Sequence, residues 1–580
     1  MRSFFTELKR RNVYRAAVFY AAAGWLLVQI ATQVFPVFDI PNWTMRLVVV
    51  AVIVGFPFAL LFAWFYELTP EGLKRESDID RAESITRATG KKLDRWIIAA
   101  LSLVVVLLLA NTFVLHRDAP AGTDKSIAVL PLVNESGDPN NEYFSDGLSE
   151  ELIAALAQIG ELKVIGRSSS FRFKQHSEDL KTIGEKLGVS TLLEGTVRKQ
   201  MDRVRIVAEL VNAADGRELW TQTYDRELKD VFAVQSEIAQ AVADSLKVTL
   251  LGKEAKARRD SSTKSVDAHN AYLQGHYYFE RRDIEGWRKA LGFFDEAIRL
   301  DPDYALAYAE RAETRSWLAD QTGENAAAER IAAVRDAEKA VGLSPDLSEA
   351  RTALGWIRYF VDWKFSAAVN ELERAAQLAP GSGKPKFLLA QAQLTLGNIQ
   401  TAIALARQGV DSDPLSYYAH AVLARALVTD GRFDEAETEA RKSVEVQPGA
   451  AFNQRWQVMS EVLQGNGEEA LRHALLEPAE TYRRNELALA QYTRGDRAAS
   501  DAALNEMIAK DSEIGAYQIA EVYAWRGETD AAFEWLQRSY DTRDTGVLSM
   551  RVDPLLRGLR SDPRYTVLLE KLGLIMPAAK

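Results

Sequence analysis

The chain has no cysteine, which excludes disulfides, a thiolate nucleophile and a zinc–thiolate site. It also has no basic excess: 71 lysines and arginines stand against 81 aspartates and glutamates, a formal charge of -10, whereas a nucleic-acid surface normally shows the reverse. No nucleic-acid partner is expected. Histidine is scarce, and the six residues His116, His176, His269, His276, His420 and His473 form neither HExxH nor another close ligand pair, so no metal site is expected. There is no GxSxG elbow. GSGKP at Gly381–Pro385 misses a phosphate-binding loop, because Leu378 stands where the first glycine belongs and Pro385 replaces Ser or Thr. With no catalytic residues and no cofactor motif to name, the expectation is a protein that is not an enzyme.

Hydrophobic residues are plentiful, at 47% of 580, and can fill several buried cores. Three runs almost free of charge, at about 16–38, 45–66 and 96–115, each approach the ~20 residues that cross a bilayer. They read as three transmembrane helices, with Pro57 kinking the second and Ala21–Gly24 allowing close packing. Basic residues precede the first run (Lys9, Arg10, Arg11, Arg15) and fill the loop 67–95 (Lys74, Arg75, Lys91, Lys92), which puts both in the cytoplasm and everything after 115 outside it. The expected location is a bacterial inner membrane, with the exported part periplasmic.

From Ser126 the pattern changes. SIAVLPLVNESGDPNNEYFSDGLSEELIAAL reads as strand, loop and helix, a strand-like LKVIGRSSS and a short helix DLKTIGEKLG follow, and then come three strand-like runs and a helix. The order β-α-β-α-β-β-β-α implies a mixed sheet with helices packed on it. The opening loop is no phosphate cradle, since Gly137 stands alone, Pro139 has no amide to offer, and Glu135, Asp138, Glu142 and Asp146 repel anions. Ser145 or Asp146 is the expected helix cap, with Glu150 and Glu151 complementing the dipole.

These phrases, with LGVSTLLEGTVRKQMDRVRIVAELVNAADGRELW and YDRELKDVFAVQSEIA, resemble the TolB amino-terminal-like domain over 126–251. The resemblance implies a non-catalytic α/β module, of a kind found beside repeat arrays or behind adenylate cyclase or winged-helix modules.

Beyond Asp267 the chain repeats itself. Pro302, Pro345, Pro380, Pro414 and Pro448 are separated by 43, 35, 34 and 34 residues, and an alanine lies 12 residues before each: Ala290, Ala333, Ala368, Ala402 and Ala436. Gly397 and Gly431 lie 17 before their prolines, where a turn between paired helices needs them. Such spacing resembles a tetratricopeptide (TPR) array over 267–574, an all-α superhelix ending in a cap that seals its last apolar face.

Aromatics recur on the first helix of each pair, and Tyr278, Tyr308, Trp356, Tyr417 and Tyr523 are candidates for a partner-binding groove. The whole is therefore expected to be multi-domain: a membrane domain at 1–115, a mixed α/β domain at 126–251 and a TPR superhelix at 267–574. The function expected is a membrane-embedded scaffold that binds a protein or peptide on the periplasmic side. The alternative is a transmembrane sensor that relays ligand binding to a cytoplasmic effector. The acidic balance favours basic partners, acting more on rate than on choice.

Overall fold

The computed structural model describes residues 125–174, 178–246, 248, 263–450 and 453–575, the segments 66–69 and 72–75, and residues 20, 24, 25, 28, 52 and 55–57. These fall in two units, residues 1–123 and 124–580. In the first, the Tyr20 hydroxyl donates to the Val52 carbonyl at 3.1 Å. Gly24 lies against Val52, where a Cβ would come within 2.7 Å of a methyl group. Strands β1 (Tyr66–Thr69) and β2 (Gly72–Arg75) form an antiparallel hairpin.

The expectation of three transmembrane helices, and with it a membrane-embedded protein, is corrected here. Among the described residues no helix is long and apolar enough to cross a membrane. Most of 16–38 and 45–66 and all of 96–115 lie outside the described residues. Where the second run can be followed to its end, Tyr66 begins a strand, not the last turn of a helix. An apolar run of the right length permits a span but does not dictate one, because the same residues also fill a protein core.

The second unit opens with the mixed sheet. Its strands are β3 (Ser126–Val129), β4 (Val133–Asn134), β5 (Lys163–Val164), β6 (Thr191–Gln200), β7 (Arg203–Asn212) and β8 (Glu218–Glu227), in the order β5-β3-β6-β7-β8, with β4 also on β6. β3 runs parallel to β5 and β6, while β6, β7 and β8 form an antiparallel meander. Gly216, at φ 68°, turns β7 into β8 as Asp-Gly sequences do. Helices α1 (Glu142–Leu156), α2 (Arg167–Ser170), α3 (Leu180–Leu187) and α4 (Val231–Ser245) complete the module. Leu148, Leu152 and Leu156 of α1 bury against Ile127 and Val129 of the sheet and Val234 and Ile238 of α4.

The cap of α1 differs from expectation. A 3-10 turn, Pro139–Asn141, leads into the helix, and Asp138 caps that turn by accepting from the Asn140 amide. Ser145 and Asp146 lie inside α1, buried, and Lys174 claims Asp146 at 2.6 Å.

The remainder is a run of helix pairs: α5 (Val266–Phe279) with α6 (Ile284–Leu300), α7 (Ala305–Thr322) with α8 (Ala326–Leu343), α9 (Ser348–Phe360) with α10 (Phe365–Leu378), and α11 (Gly383–Thr395) with α12 (Ile399–Ser412). Then come α13 (Tyr417–Asp430) with α14 (Phe433–Val446), α15 (Arg455–Leu463) with α16 (Gly467–Ala474), α17 (Glu480–Thr493) with α18 (Arg497–Asp511), and α19 (Ala516–Trp525) with α20 (Thr529–Asp541). Ala290, Ala333, Ala368, Ala402 and Ala436 are each fully buried where paired helices touch. Gly397, Gly431, Gly465, Gly495 and Gly527 all take left-handed backbone at the intra-pair turn, so the repeat continues past the copies that keep a proline.

The chain then turns back on the array. After α20, 3-10 segments at Thr545–Ser549 and Pro554–Leu559 and helix α21 (Pro563–Lys571) do more than cover the last pair. Leu548, Met550, Leu556 and Leu559 share one apolar cluster with Leu354 and Ile357 of α9 and Leu388 of α11. Arg543 donates to the Val361 carbonyl at 2.6 Å and lies 4.2 Å over the Trp363 ring.

Module and array interlock as well. Gly147 of α1 is in tight contact with Leu273 of α5, where a Cβ would come within 2.6 Å. The Gly166 amide donates to the Ser412 carbonyl at 2.7 Å, the Ser169 amide to Asp413 at 2.8 Å, and the Gly381 amide to the Ala157 carbonyl at 2.8 Å. Arg167 bridges Glu150 at 2.7 Å and Glu280 at 2.9 Å. His276 of α5 sits between Glu150 of the module and Glu310 of α7.

Two outcomes follow from these contacts. Leu556→Ala should cost about 2–5 kcal/mol and lower hydrogen-exchange protection in α9 as well as α19, whereas a cap confined to the last pair would leave α9 unchanged. At His276, burial opposes the charge, but Glu150 and Glu310 outweigh it and hold the imidazolium well above the usual value of 6.5. A raised value on a base means stability fully present below pH 6.5 and lost as pH rises through the folded value. The advantage of the parent over His276→Gln in urea midpoint should therefore shrink steadily above that pH.

Candidate functional site

Because the last segments return to α9 and α11, the inside of the array is narrowed to a half-open chamber of about 740 Å³. The first helix of each pair from α7 to α19 supplies its wall, and Thr542–Gly546 and Leu548–Pro554 close it. The volume falls within the ~300–1,000 Å³ typical of ligand clefts.

One wall is aromatic. Trp287, Trp317 and Trp356 stack in a row, with centroids 5.8 and 5.1 Å apart, and Phe360 lies on Trp356 at 4.4 Å. Trp317 and Trp356 come from the successive first helices α7 and α9, and Trp287 of α6 extends the row behind them. Trp356 is fixed by its indole N–H, which donates to Ser316 Oγ at 3.0 Å. Of these, Trp317, Trp356 and Phe360 line the chamber, joined by Tyr418, Trp456 and Tyr482.

The lining also carries charge. Arg455 of α15 and Glu521 of α19 form an ion pair in which both side chains are nearly inaccessible, 5% and 1% exposed. Such a pair needs further bonds to offset the loss of water. Arg455 makes one by donating to Asn485 Oδ1 at 2.9 Å. Burial pushes the Glu521 carboxyl up to about 8; Arg455 pulls it down and Asp553 pushes it up again. Near it Glu486 is 1% exposed with neither oxygen bonded, and burial followed by the Glu477 charge raises it well above its ordinary value. Asp553, at the chamber's closing segment, accepts from the Tyr517 hydroxyl at 2.9 Å.

Of the five groove candidates, only Trp356 lines the chamber. Tyr278 stacks face to face on Phe293 at 5.6 Å, and Tyr308 lies under the Arg311 guanidinium at 5.2 Å. Tyr417 meets Tyr418 edge-on at 6.3 Å, and Tyr523 packs against the apolar clusters on either side of it. Arg425, Arg455, Tyr482 and Glu521 were not among the sequence candidates. A signal for them existed: the residues bonded across neighbouring first helices are one or two repeats apart, as Arg455 and Glu521 are by 66.

Comparison with known proteins agrees with the repeat geometry. Residues 364–422, from the start of α10 into α13, match the tetratricopeptide repeat family. Among solved structures, a tetratricopeptide repeat protein of Parabacteroides merdae is 15% identical and covers 42% of this chain and 99% of its own, at a TM-score of 0.31. A thermophilic TPR protein of Thermus thermophilus is 18% identical and covers 33% of this chain and 96% of its own, at a TM-score of 0.28. Among curated proteins, one of Rhizobium meliloti (strain 1021), provisionally named adenylate cyclase 3, is 35% identical over 184 residues, 32% of this chain. The match spans 31% of that protein's length. The region after Asp267 is built of TPR-type repeats.

The Glu521 carboxyl makes stability depend on pH in a stated direction. Between its ordinary value of 4.5 and about 8, the folded chain keeps a proton that the unfolded chain has lost, so this group lowers stability as pH rises. Glu521→Gln does not titrate. Its urea midpoint relative to the parent should move in the variant's favour between about pH 5 and pH 8, and an unchanged difference would remove Glu521 from this role.

Proposed function

We propose that the chain is a non-catalytic scaffold whose repeat array receives a short segment of a protein or peptide partner in the chamber, while the α/β module braces the array from one side. The observation that carries this reading is the chamber itself: aromatic and charged side chains contributed by successive repeats converge on one half-open space. A space of that size takes a few residues in extended form and not a folded domain. With the walls already packed, little ordering accompanies binding. The resemblance of 126–251 to the TolB amino-terminal-like domain fits a bracing, non-catalytic role. The cyclase activity in the name of the Rhizobium protein stays with that protein, since the match spans only 31% of it.

Photo-crosslinking in cells tests the reading. A benzophenone amino acid placed at Tyr418, on the chamber wall, should capture a defined partner, and the same group at Tyr278 or Tyr308 should not. Capture should fall when Trp456 is changed to Ala. Crosslinks formed at Tyr278 or Tyr308 but absent at Tyr418 would move the binding surface out of the chamber.

A further inference from the structure

We infer that the chain forms a two-fold dimer in which strand β8 pairs antiparallel with β8 of a second copy, joining two sheets into one. This goes beyond the proposed function and holds whatever the chamber receives. The sheet has two edges. At one, β5 contributes two residues and leads straight into Gly166 and Ser169, which bond to the array. At the other lies β8, ten residues long and paired only with β7 among the described residues. Strand edges are normally guarded by proline, lysine, a bulge or brevity. β8 has no proline and no lysine, and its register on β7 runs unbroken from Trp220 to Glu227. Thr221, Gln222 and Thr223, at its middle, are exposed.

The alternation of hydrogen bonds says which backbone groups face outward. The Leu228 amide donates to the Asp202 carbonyl at 2.8 Å, one step beyond the Arg203–Glu227 pair and in the same register. Even-numbered residues of β8 therefore exchange bonds with β7, and the odd-numbered ones, Thr221 and Thr223 among them, turn N–H and C=O to the outer edge. An antiparallel partner has to match outward groups with outward groups. For two copies of one strand, this places the two-fold axis beside a residue and never between two.

With the axis at Gln222, the strand is complementary to itself. Thr221 meets Thr223 of the other copy, and Glu218 meets Arg226, each pairing occurring twice. Threonine pairs and opposite charges are among the cross-strand combinations that stabilise a sheet. Glu218 is exposed, and Arg226 is held loosely by Glu237 of α4, at 3.6 Å. Leu219 falls opposite Asp225, whose charge Arg203 and Arg205 already hold, each at 2.6 Å. Trp220 falls opposite Tyr224, which is already buried and adds no contact. Moving the axis to Thr221 or Thr223 keeps the bonding pattern but parts Glu218 from Arg226, so charge selects the register about Gln222.

Sedimentation of the full chain across the micromolar range tests the inference and should show a monomer–dimer equilibrium. Thr223→Pro removes an outward N–H twice per dimer and none that β7 uses. It should raise the dissociation constant at least roughly tenfold while circular dichroism shows the parent's fold. Glu218→Arg should weaken the dimer, and adding Arg226→Glu should restore it. Because the chain has no cysteine, Gln222→Cys places a single thiol at the axis, where facing residues stand ~4.5 Å apart. Mild oxidation should link two copies of it faster than two copies of Met201→Cys, although Met201, in the turn before β7, is 91% exposed. The charge exchange and the thiol decide the matter if Thr223→Pro does not fold. A monomer at every concentration, with Gln222→Cys linking no faster than Met201→Cys, overturns the dimer and leaves the edge to a strand of another protein. A dimer that Thr223→Pro and Glu218→Arg both leave intact overturns it too, by moving the interface elsewhere. None of these substitutions touches the chamber, so the outcome is separate from that of the crosslinking experiment.

Discussion

A helix pair with an apolar face on each side cannot stand alone, and every other feature of the second unit answers that constraint. Each pair covers the one before it, through alanines too small to hold the helices apart. The first pair needs a cover, which α1 of the α/β module supplies by bringing Gly147 against Leu273. The last pair needs one too. The closing segments supply it and then continue to α9 and α11, so the two apolar ends of the problem are solved by the chain's own flanks.

The chamber is a by-product of that second cover. In an open superhelix the first helices of the pairs would line a long trough. Here Leu548, Met550, Val552 and Leu555 take up much of it and bury in the clusters on both sides. What is left is small and lined by aromatic side chains, carboxyls and arginines together. Burial raises the Glu521 carboxyl there above its ordinary range.

The repeat architecture was legible because it rests on short-range rules: a left-handed glycine at the turn, a small residue where helices touch, and a fixed period. Gly397 with Ala402, and Gly431 with Ala436, carry those rules openly. The later copies lose the regular proline spacing and keep the glycine, at Gly465, Gly495 and Gly527. The path of the cap was not legible, since nothing local in Leu548–Leu559 says which distant surface it will meet. Which aromatic candidates face the chamber was not legible for the same reason. Tyr278 and Trp356 are both aromatic positions on a first helix, but the first turns toward Phe293 and the second toward the inside. The three apolar runs of the amino-terminal region misled in the opposite way, because length and hydropathy describe what a segment tolerates and not what it does.

The hook formed by Gly166–Ser170 has a consequence for how the protein is made. Its hydrogen-bond partners, Ser412 and Asp413, are separated from it by some 240 residues of sequence, 244 in the case of Ser169 and Asp413. During synthesis the module's own sheet can assemble as soon as β8 and α4 have left the ribosome, but the hook stays open until four helix pairs have followed. Excising 126–251 as a fragment would leave the Ser169 amide and hydroxyl and the Arg167 guanidinium without the array partners that hold them, so the natural unit for expression is the whole of 124–580.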